Sequence, residues 1–432
     1  MNIPIKKLSE LSEQEKNKLF NRRLDLDKYF NVVKEIIENV KSRGDKALLE
    51  YTAKFDGAQL KNLEVSEQEF KEALSKIPKN VESTLLACIK NIKKFHLLQL
   101  RKTEKIKEGI ELGRLFQPLQ AIGIYVPGGT ASYPSTVIMA CIPAKIAGVK
   151  DIVICTPPRK DCTTDPLVLL AAKLCKVNKI YKVGGAQAIA ALAYGTESIK
   201  KVDKIVGPGN VYVTAAKLLV SKDVDIDFPC GPSEILAIAD EKADSELLAL
   251  DLLAQAEHDE NAHAVLVTTS QKIANEVKVK LLELIENLER KAIILRALES
   301  NSAILIARSI QECIEFANLY APEHLELVVS KPVALGKIKT AGSVFLGEST
   351  PSVVGDYSSG SNHILPTSGY ARTRSALSAD DFVKSITYQK ISKKALFTLA
   401  EPAVRVARLE GFEAHAKSLE KRLEKWKKRG KT

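Results

Sequence analysis

The sequence predicts an α/β protein built on parallel sheets, and three observations carry that prediction. From Gln120 onward short β-rich runs alternate strictly with helical segments, glycine pairs stand at the ends of three of those runs, and 45% of the 432 residues are hydrophobic. A chain of that length and apolar content fills roughly two or three domains with sizeable cores. Strict alternation with short connections is the pattern of a sheet covered by helices on both faces. Such sheets take ligands at the carboxyl ends of their strands.

The first hundred residues read as helical. Asp27 caps a helix running to Val40, and Ser66-Glu67-Gln68-Glu69 has the form of a capping box, in which hydroxyl and carboxylate each satisfy an amide of the first turn. A helix over 81–100 carries Leu85, Cys88, Ile89 and Ile92 on one stripe. His96 on that helix has no acidic or histidine neighbour at helical spacing and reads as a surface or packing residue.

Strands follow at 121–126, 151–155, 179–183, 204–206 and 224–228, with helices near 134–147, 166–176, 186–194 and 211–220. The strands at 121, 179 and 204 end in Val126-Pro127-Gly128-Gly129-Thr130, Val183-Gly184-Gly185-Ala186-Gln187 and Val206-Gly207-Pro208-Gly209-Asn210. A glycine pair permits a tight turn into a helix N-terminus, whose free amides suit a phosphate. None completes G-x-G-x-x-G/A, but three at equivalent positions favour a dinucleotide or phosphate site.

The alternation resumes after Ser233. Strands are expected at 235–239, 264–268, 303–307, 325–329 and 343–346, and helices at 245–258, 271–288 and 310–319. From Ser378 the chain reads as helical again, ending in a helix over 405–426 with an apolar stripe of Val406, Leu409, Phe412 and Leu419. A stripe on a terminal helix suggests a partner subunit, hence a homodimer.

Composition narrows the function classes. The 64 Lys and Arg against 53 Asp and Glu give +11, yet more than half of that excess sits after Ala416, without the interleaved aromatics that nucleic-acid binding needs. Neither nucleic acid nor a membrane is expected as a partner, since no run of eighteen apolar residues occurs. The start of the chain has no apolar stretch followed by a cleavage site, so a cytoplasmic protein is expected. The seven cysteines are scattered without a C-x-x-C pair, which argues against a disulfide framework or a thiolate metal site.

Chemistry gathers around the histidines. Ala321-Pro322-Glu323-His324 delivers a carboxylate and an imidazole side by side ahead of an apolar strand, a combination suited to proton transfer. Gln255 and His258 are three apart on a helix, Asp356 and His363 share a Ser/Asn/Gly loop, and Glu410 and His415 bracket Gly411. Together they form a nitrogen and oxygen ligand set suited to Zn²⁺ or a first-row relative. His263 at the start of an apolar strand reads as structural.

On these residues the chain resembles the L-histidinol dehydrogenases. The resemblance runs to about Leu423 and rests on Gly123-Ile124-Tyr125-Val126-Pro127-Gly128-Gly129, the other two glycine turns, Gly231-Pro232-Ser233-Glu234, Gln255-Ala256-Glu257-His258, Ala321-Pro322-Glu323-His324, Gly355-Asp356-Tyr357 with Asn362-His363, and Glu410-Gly411 with Ala414-His415. It implies a zinc-dependent, NAD-linked oxidation of L-histidinol through the aldehyde to L-histidine, the last step of histidine biosynthesis. It implies Gln255, His258, Asp356 and His415 as zinc ligands that also face substrate, His415 coming from the other subunit of a homodimer. Zinc in the family holds the substrate's imidazole and amine. Ser233, His363 and Glu410 match substrate contacts, Tyr125, Gln187 and Asn210 match cofactor contacts, and Glu323 and His324 match the catalytic pair.

The implied fold is two Rossmann-like parallel-sheet domains, aldehyde-dehydrogenase-like, with helical N- and C-terminal extensions. The implied partition is a helical arm over 1–25, a metal-bearing domain over 26–124 plus 233–377, a cofactor domain over 125–232 and a dimerisation segment over 378–432. A zinc-dependent hydrolase with the same ligands and Glu323 as base is the alternative, but it leaves three glycine turns without a role. Cys230 stands where a small residue such as Ala is expected, which predicts thiol sensitivity near the substrate loop. Neighbours in a regular strand point to opposite sides, so the Pro322 turn must extend far enough for Glu323 and His324 both to reach substrate.

Overall fold

The computed structural model describes residues 3–101, 104–107, 110–129 and 131–429. Thr130 of the first glycine turn and residues 430–432 of the basic tail lie outside them. In chain order the strands are β1 (Ile5–Lys7), β2 (Glu104–Lys107), β3 (Ile110–Pro118), β4 (Ala121–Tyr125), β5 (Asp151–Thr156), β6 (Lys179–Lys182), β7 (Lys204–Val206), β8 (Asp225–Ile226), β9 (Glu234–Ala239), β10 (His263–Thr268), β11 (Ala303–Ile306), β12 (His324–Val328), β13 (Ser343–Leu346) and β14 (Val383–Ile391). The chain divides into two compact units, one of Met1–Leu100 with Leu119–Phe382 and one of Arg101–Pro118 with Val383–Thr432.

The first unit holds two parallel sheets, of order β6-β5-β4-β7-β8 and β1-β11-β10-β9-β12-β13. β4 lies at the centre of the first of these, so that sheet begins before residue 125. Its strands are buried on both faces, which is why they read as apolar runs rather than alternating ones. The helices Asp27–Phe55 and Gly185–Tyr194 cover one face around Val33, Leu48 and Leu192, and Pro134–Ala147 with Pro166–Leu174 cover the other around Met139 and Leu169. The second sheet is enclosed likewise, by Ser245–Ala256, Gln271–Leu284 and Lys291–Asn301 on one face and Ile310–Tyr320 on the other.

In the N-terminal half two expectations change and one is decided: Asp27 is the first residue of its helix and not its cap, the N-cap being Leu26 without a side-chain bond, and that helix runs past Val40 to Phe55. Ser66 accepts from the Glu69 amide as expected, but the Glu69 carboxylate turns away to Lys182 Nζ at 2.8 Å and the Thr164 amide at 3.2 Å, so the box is half formed. The complete capping box belongs instead to Ser12 and Glu15. His96 is fully buried and bonds Gln99 at 2.7 Å, a packing residue.

The second unit is an antiparallel sheet, β14-β3-β2, with the helices Lys393–Leu409 and Glu413–Arg429 packed on each other. Residues 383–391, expected to be helical, form its longest pairing, Val383 opposite Pro118 through Ile391 opposite Ile110. Among the described residues no helix is long and apolar enough to cross a membrane.

Candidate active site

The amino ends of β9 and β12 meet where Glu323 and His324 project. The helix Ile310–Tyr320 stops at Ala321, whose φ of 54° is left-handed, and Pro322 then turns the chain so that β12 opens at His324. Glu323 therefore precedes the strand and escapes its alternation. Its Oε2 accepts the Glu234 amide at 2.7 Å, while His324 Nδ1 donates to the Glu234 carbonyl at 3.0 Å. Adjacent side chains thus grip one residue of the neighbouring strand, 3.6 Å apart at Oε2 and Nδ1. That is how both reach one place.

His324 Nε2 donates to Asp356 Oδ1 at 3.0 Å, and Asp356 comes from the short helix Ser352–Tyr357 rather than from a loop. His363 in the following loop donates from Nδ1 to the Asp356 carbonyl at 2.8 Å. With an acceptor on each nitrogen, His324 carries both protons. Burial opposes that charge, but Glu323 and Asp356 raise its pKa well above the ordinary imidazole range. Burial likewise pushes Asp356 up, and the His324 contacts overcome it, holding the carboxyl ionised. Burial pushes Glu323 upward against the opposing pull of His324.

Glu234 was not singled out by its sequence, yet it is the residue on which the pair is built. Its own carboxylate, wholly buried, pairs with Arg22 Nε at 2.8 Å and Nη2 at 3.1 Å, and accepts the Ser368 amide at 2.8 Å. Arg22 in turn donates to the Tyr320 carbonyl at 2.8 Å and lies over the Tyr320 ring. A buried Arg and Glu two hundred positions apart carry no local signal; only the register joins them.

The expected ligands Gln255 and His258 sit at the end of the helix Ser245–Ala256, His258 just beyond it with its amide on the Gln255 carbonyl. Gln255 is buried and its Nε2 finds no partner among the described residues, an orphan amide that a half-turn converts into an oxygen donor. Crowding by protein pushes His258 below its ordinary range, although Asp356 pulls the other way, so the imidazole is neutral. A neutral imidazole, an ionised carboxylate and an unused amide are the forms a cation requires, so these residues fit a metal. No three His, Cys, Asp or Glu side chains among the described residues are gathered closely enough to hold one by themselves. Glu410 and His415 belong to the second unit, both exposed, with His415 against Phe412 at 5.2 Å between ring centres. Ser233 precedes β9, and its carbonyl receives the His263 amide at 2.9 Å.

The glycine turns lie at the carboxyl ends of β4, β6 and β7. Tyr125, almost wholly buried and pushed up to about 12 chiefly by burial, accepts the Gly185 amide at 3.1 Å. Gln187 is buried in the first turn of the helix Gly185–Tyr194, and exposed Asn210 caps Val211–Val220 through the Tyr212 and Val213 amides at 3.1 Å. Gly207 has φ +114°, and a side chain there would collide with the Tyr125 carbonyl. Its turn is held by Lys217, which pairs with Asp227 and donates to the Gly207 carbonyl at 3.0 Å, while Asp227 accepts the Gly207 amide at 2.8 Å. Lys217 is a second residue missed; a lysine in the apolar helix Val211–Val220 was its only signal. Asp56, at the end of the helix Asp27–Phe55, has a buried carboxyl oxygen without a partner among the described residues and is pushed up to about 6 by burial. Glycine at the turn and the N-terminus of the helix Gly185–Tyr194, which no side chain caps, fit a phosphate-bearing cofactor.

The setting of Cys230 does not favour the expected thiol sensitivity. Burial pushes that thiol up to about 12, and it points at the Phe228 carbonyl, 3.7 Å away. A thiol so far from ionisation is a poor nucleophile.

Residues 20–423 match the sequence model of the family described as histidinol dehydrogenase. The histidinol dehydrogenase of Methanosarcina barkeri is 50% identical over 421 residues, covering 96% of this chain and 97% of that one. That of Methanocaldococcus jannaschii is 50% identical over 424 residues, 97% and 98% of the two chains. The crystal structure of histidinol dehydrogenase from Elizabethkingia anophelis superposes with a TM-score of 0.93 at 41% identity, covering 99% of both chains.

Proposed function

The chain belongs to the histidinol dehydrogenase family, and from that premise we propose that it oxidises L-histidinol in two NAD-linked steps to L-histidine with one zinc ion per subunit. The observation that carries the reading is the His324 imidazole, held between the Glu234 carbonyl and Asp356 with Glu323 alongside.

Gln255, His258 and Asp356 would hold the metal, joined by His415 of a second copy, and when bound it would orient the substrate's imidazole and amine. Tyr125, Gln187 and Asn210 would seat the nicotinamide cofactor, which supplies the hydride acceptor. The remaining chemistry falls to the chain. Nδ1 donation to Glu234 fixes the tautomer of His324, and an Asp356 committed as ligand no longer accepts from Nε2. Nε2 is then the atom that takes the hydroxyl proton as hydride leaves the adjoining carbon. In the second step a water adds to the aldehyde, and Glu323, made more basic by burial, takes its proton. No cysteine acts as nucleophile: all seven thiols are free, and Cys230, the one that feels Glu323, is pushed up to about 12 chiefly by burial.

Homodimerisation is supported by the second unit, where Val406, Leu409 and Phe412 stand 52%, 87% and 52% exposed beside Glu410 and His415. An apolar stripe so exposed calls for a cover. The proposed compartment is the cytoplasm, in keeping with the free cysteines.

The test is incubation with L-histidinol and NAD⁺. Two NADH per histidinol are expected, with turnover lost to a strong chelator and regained with Zn²⁺. No NADH with zinc supplied would sink the proposal.

A further inference from the structure

Glu326 lies two residues along β12 from His324 and is 1% exposed, on the same face of the strand. Its Oε1 accepts the amide of Ser352 at 2.7 Å, the first residue of the helix that carries Asp356. Its Oε2 is fully buried and meets no donor among the described residues. What faces it is another acid. Asp251 lies one turn before Gln255 on the helix Ser245–Ala256 and lines a cavity with the Glu326 carboxyl. Two carboxyl groups can hydrogen-bond only if one of them carries a proton.

We propose that Glu326 is a positioning residue: protonated on Oε2, it donates to Asp251 while accepting from Ser352, and so ties together the three elements that bear His324, Gln255 and Asp356. One side chain thereby sets the spacing between the proposed base and the proposed ligands.

The surroundings favour the shared proton. Asp244 faces the pair from the cap of the helix that carries Asp251, Glu348 from the segment after β13, and among the described residues His324 is the basic group acting on Glu326, from its own strand. Burial and the neighbouring Asp251 push Glu326 up to about 8, and burial pushes Asp251 up to about 6, so at neutral pH the pair holds one proton. Both folded pKa values lie above the unfolded ones. The pair's stabilisation is therefore fully present below roughly pH 4 and is lost as pH rises through about 8.

Glu326→Gln offers Asp251 an amide donor and Ser352 an oxygen at every pH; Glu326→Ala offers neither. In the metal-free full-length chain, the Tm of Glu326→Gln relative to the parent should rise by about 2 °C or more between pH 5.5 and 9. With zinc loaded, Glu326→Ala should release metal to a chelator about tenfold faster, as changes behind metal ligands do, and Glu326→Gln should stay within about twofold of the parent. A Tm difference that does not change with pH would overturn the shared proton. Glu326→Gln losing zinc as fast as Glu326→Ala would overturn the positioning role. The zinc arm rests on the proposed metal, whereas the Tm arm does not, so a chain that binds no zinc would fail the first reading and leave the clamp to be decided by its titration.

Discussion

In the proposed function the two parallel sheets of the first unit are used from opposite ends. β4, β6 and β7 present their carboxyl ends, where the chain turns through glycine into helix N-termini, and what they offer is backbone amide. β9 and β12 present their amino ends, β12 entered from the C-terminus of the helix Ile310–Tyr320 and β9 from a loop, and what they offer is acid and imidazole. The helix dipole accounts for the division. A helix N-terminus carries roughly half a positive charge and suits a phosphate, and a C-terminus carries the opposite and suits an imidazolium or a metal cation. The carboxyl-end rule for α/β ligands is thus a rule about anions, and it holds for one sheet while the other inverts it.

The largest effect should come from the amino-end sheet. His324→Gln should lower kcat by about 10²- to 10⁴-fold with the cofactor's KM nearly unchanged, measured as NADH formation; a matching rise in that KM would mean the two ends do not divide the work. Next, Glu234→Ala should cost about 3–5 kcal/mol in denaturant unfolding, because it strands the Arg22 guanidinium in the interior. In the carboxyl-end sheet, Gly207→Ala should cost about 1–3 kcal/mol and raise the cofactor's KM with little change in kcat. A kcat loss to match His324→Gln would break the comparison.

The smallest is a pH effect at Asp56. Its folded pKa of about 6 exceeds the ordinary 3.8, so its favourable contribution is complete below 3.8 and vanishes as pH rises through 6. Asp56→Asn should therefore match the parent near pH 4 and exceed its Tm at pH 7 to 8. A constant Tm difference would show that burial does not perturb this carboxyl.

Strands buried on both faces were legible because they leave continuous apolar runs, and the helix over 134–147 was legible to the residue. β14 was not: Val383 to Ile391 mixes Val, Ile and Tyr with Lys, Ser, Thr and Gln without a strict alternation, and its partner strand lies 265 residues away even at the nearest pair, Pro118 opposite Val383.

 At the centre of that pairing Thr387 stands opposite Arg114, and 387 − 114 gives the separation of 273. No local pattern encodes a partner at that distance. The site divides the same way. Its histidines announced themselves by type and company, whereas the geometry of Glu323 and His324 depends on a left-handed Ala321 and on the backbone of Glu234, both set by tertiary contacts. Arg22, Lys217 and Glu326 looked like ordinary charged residues, because burial is a property of the fold and not of the tripeptide around them.

β1 is the edge strand of the second sheet and pairs only with β11, Ile5 opposite Ile304, while Arg22 waits for Glu234 and the Tyr320 carbonyl. On a ribosome this imposes an order of events. The glycine-turn sheet, drawn from residues 121–226, can close as soon as that stretch has emerged, but β1 has no strand to dock on until residues 303–306 follow it, and Arg22 lacks its last partner until Tyr320 does. Glu323 and His324, braced by Arg22 through Glu234, are therefore among the last parts of the first unit to assemble, and the nascent chain acquires its glycine turns well before it acquires the proposed catalytic pair.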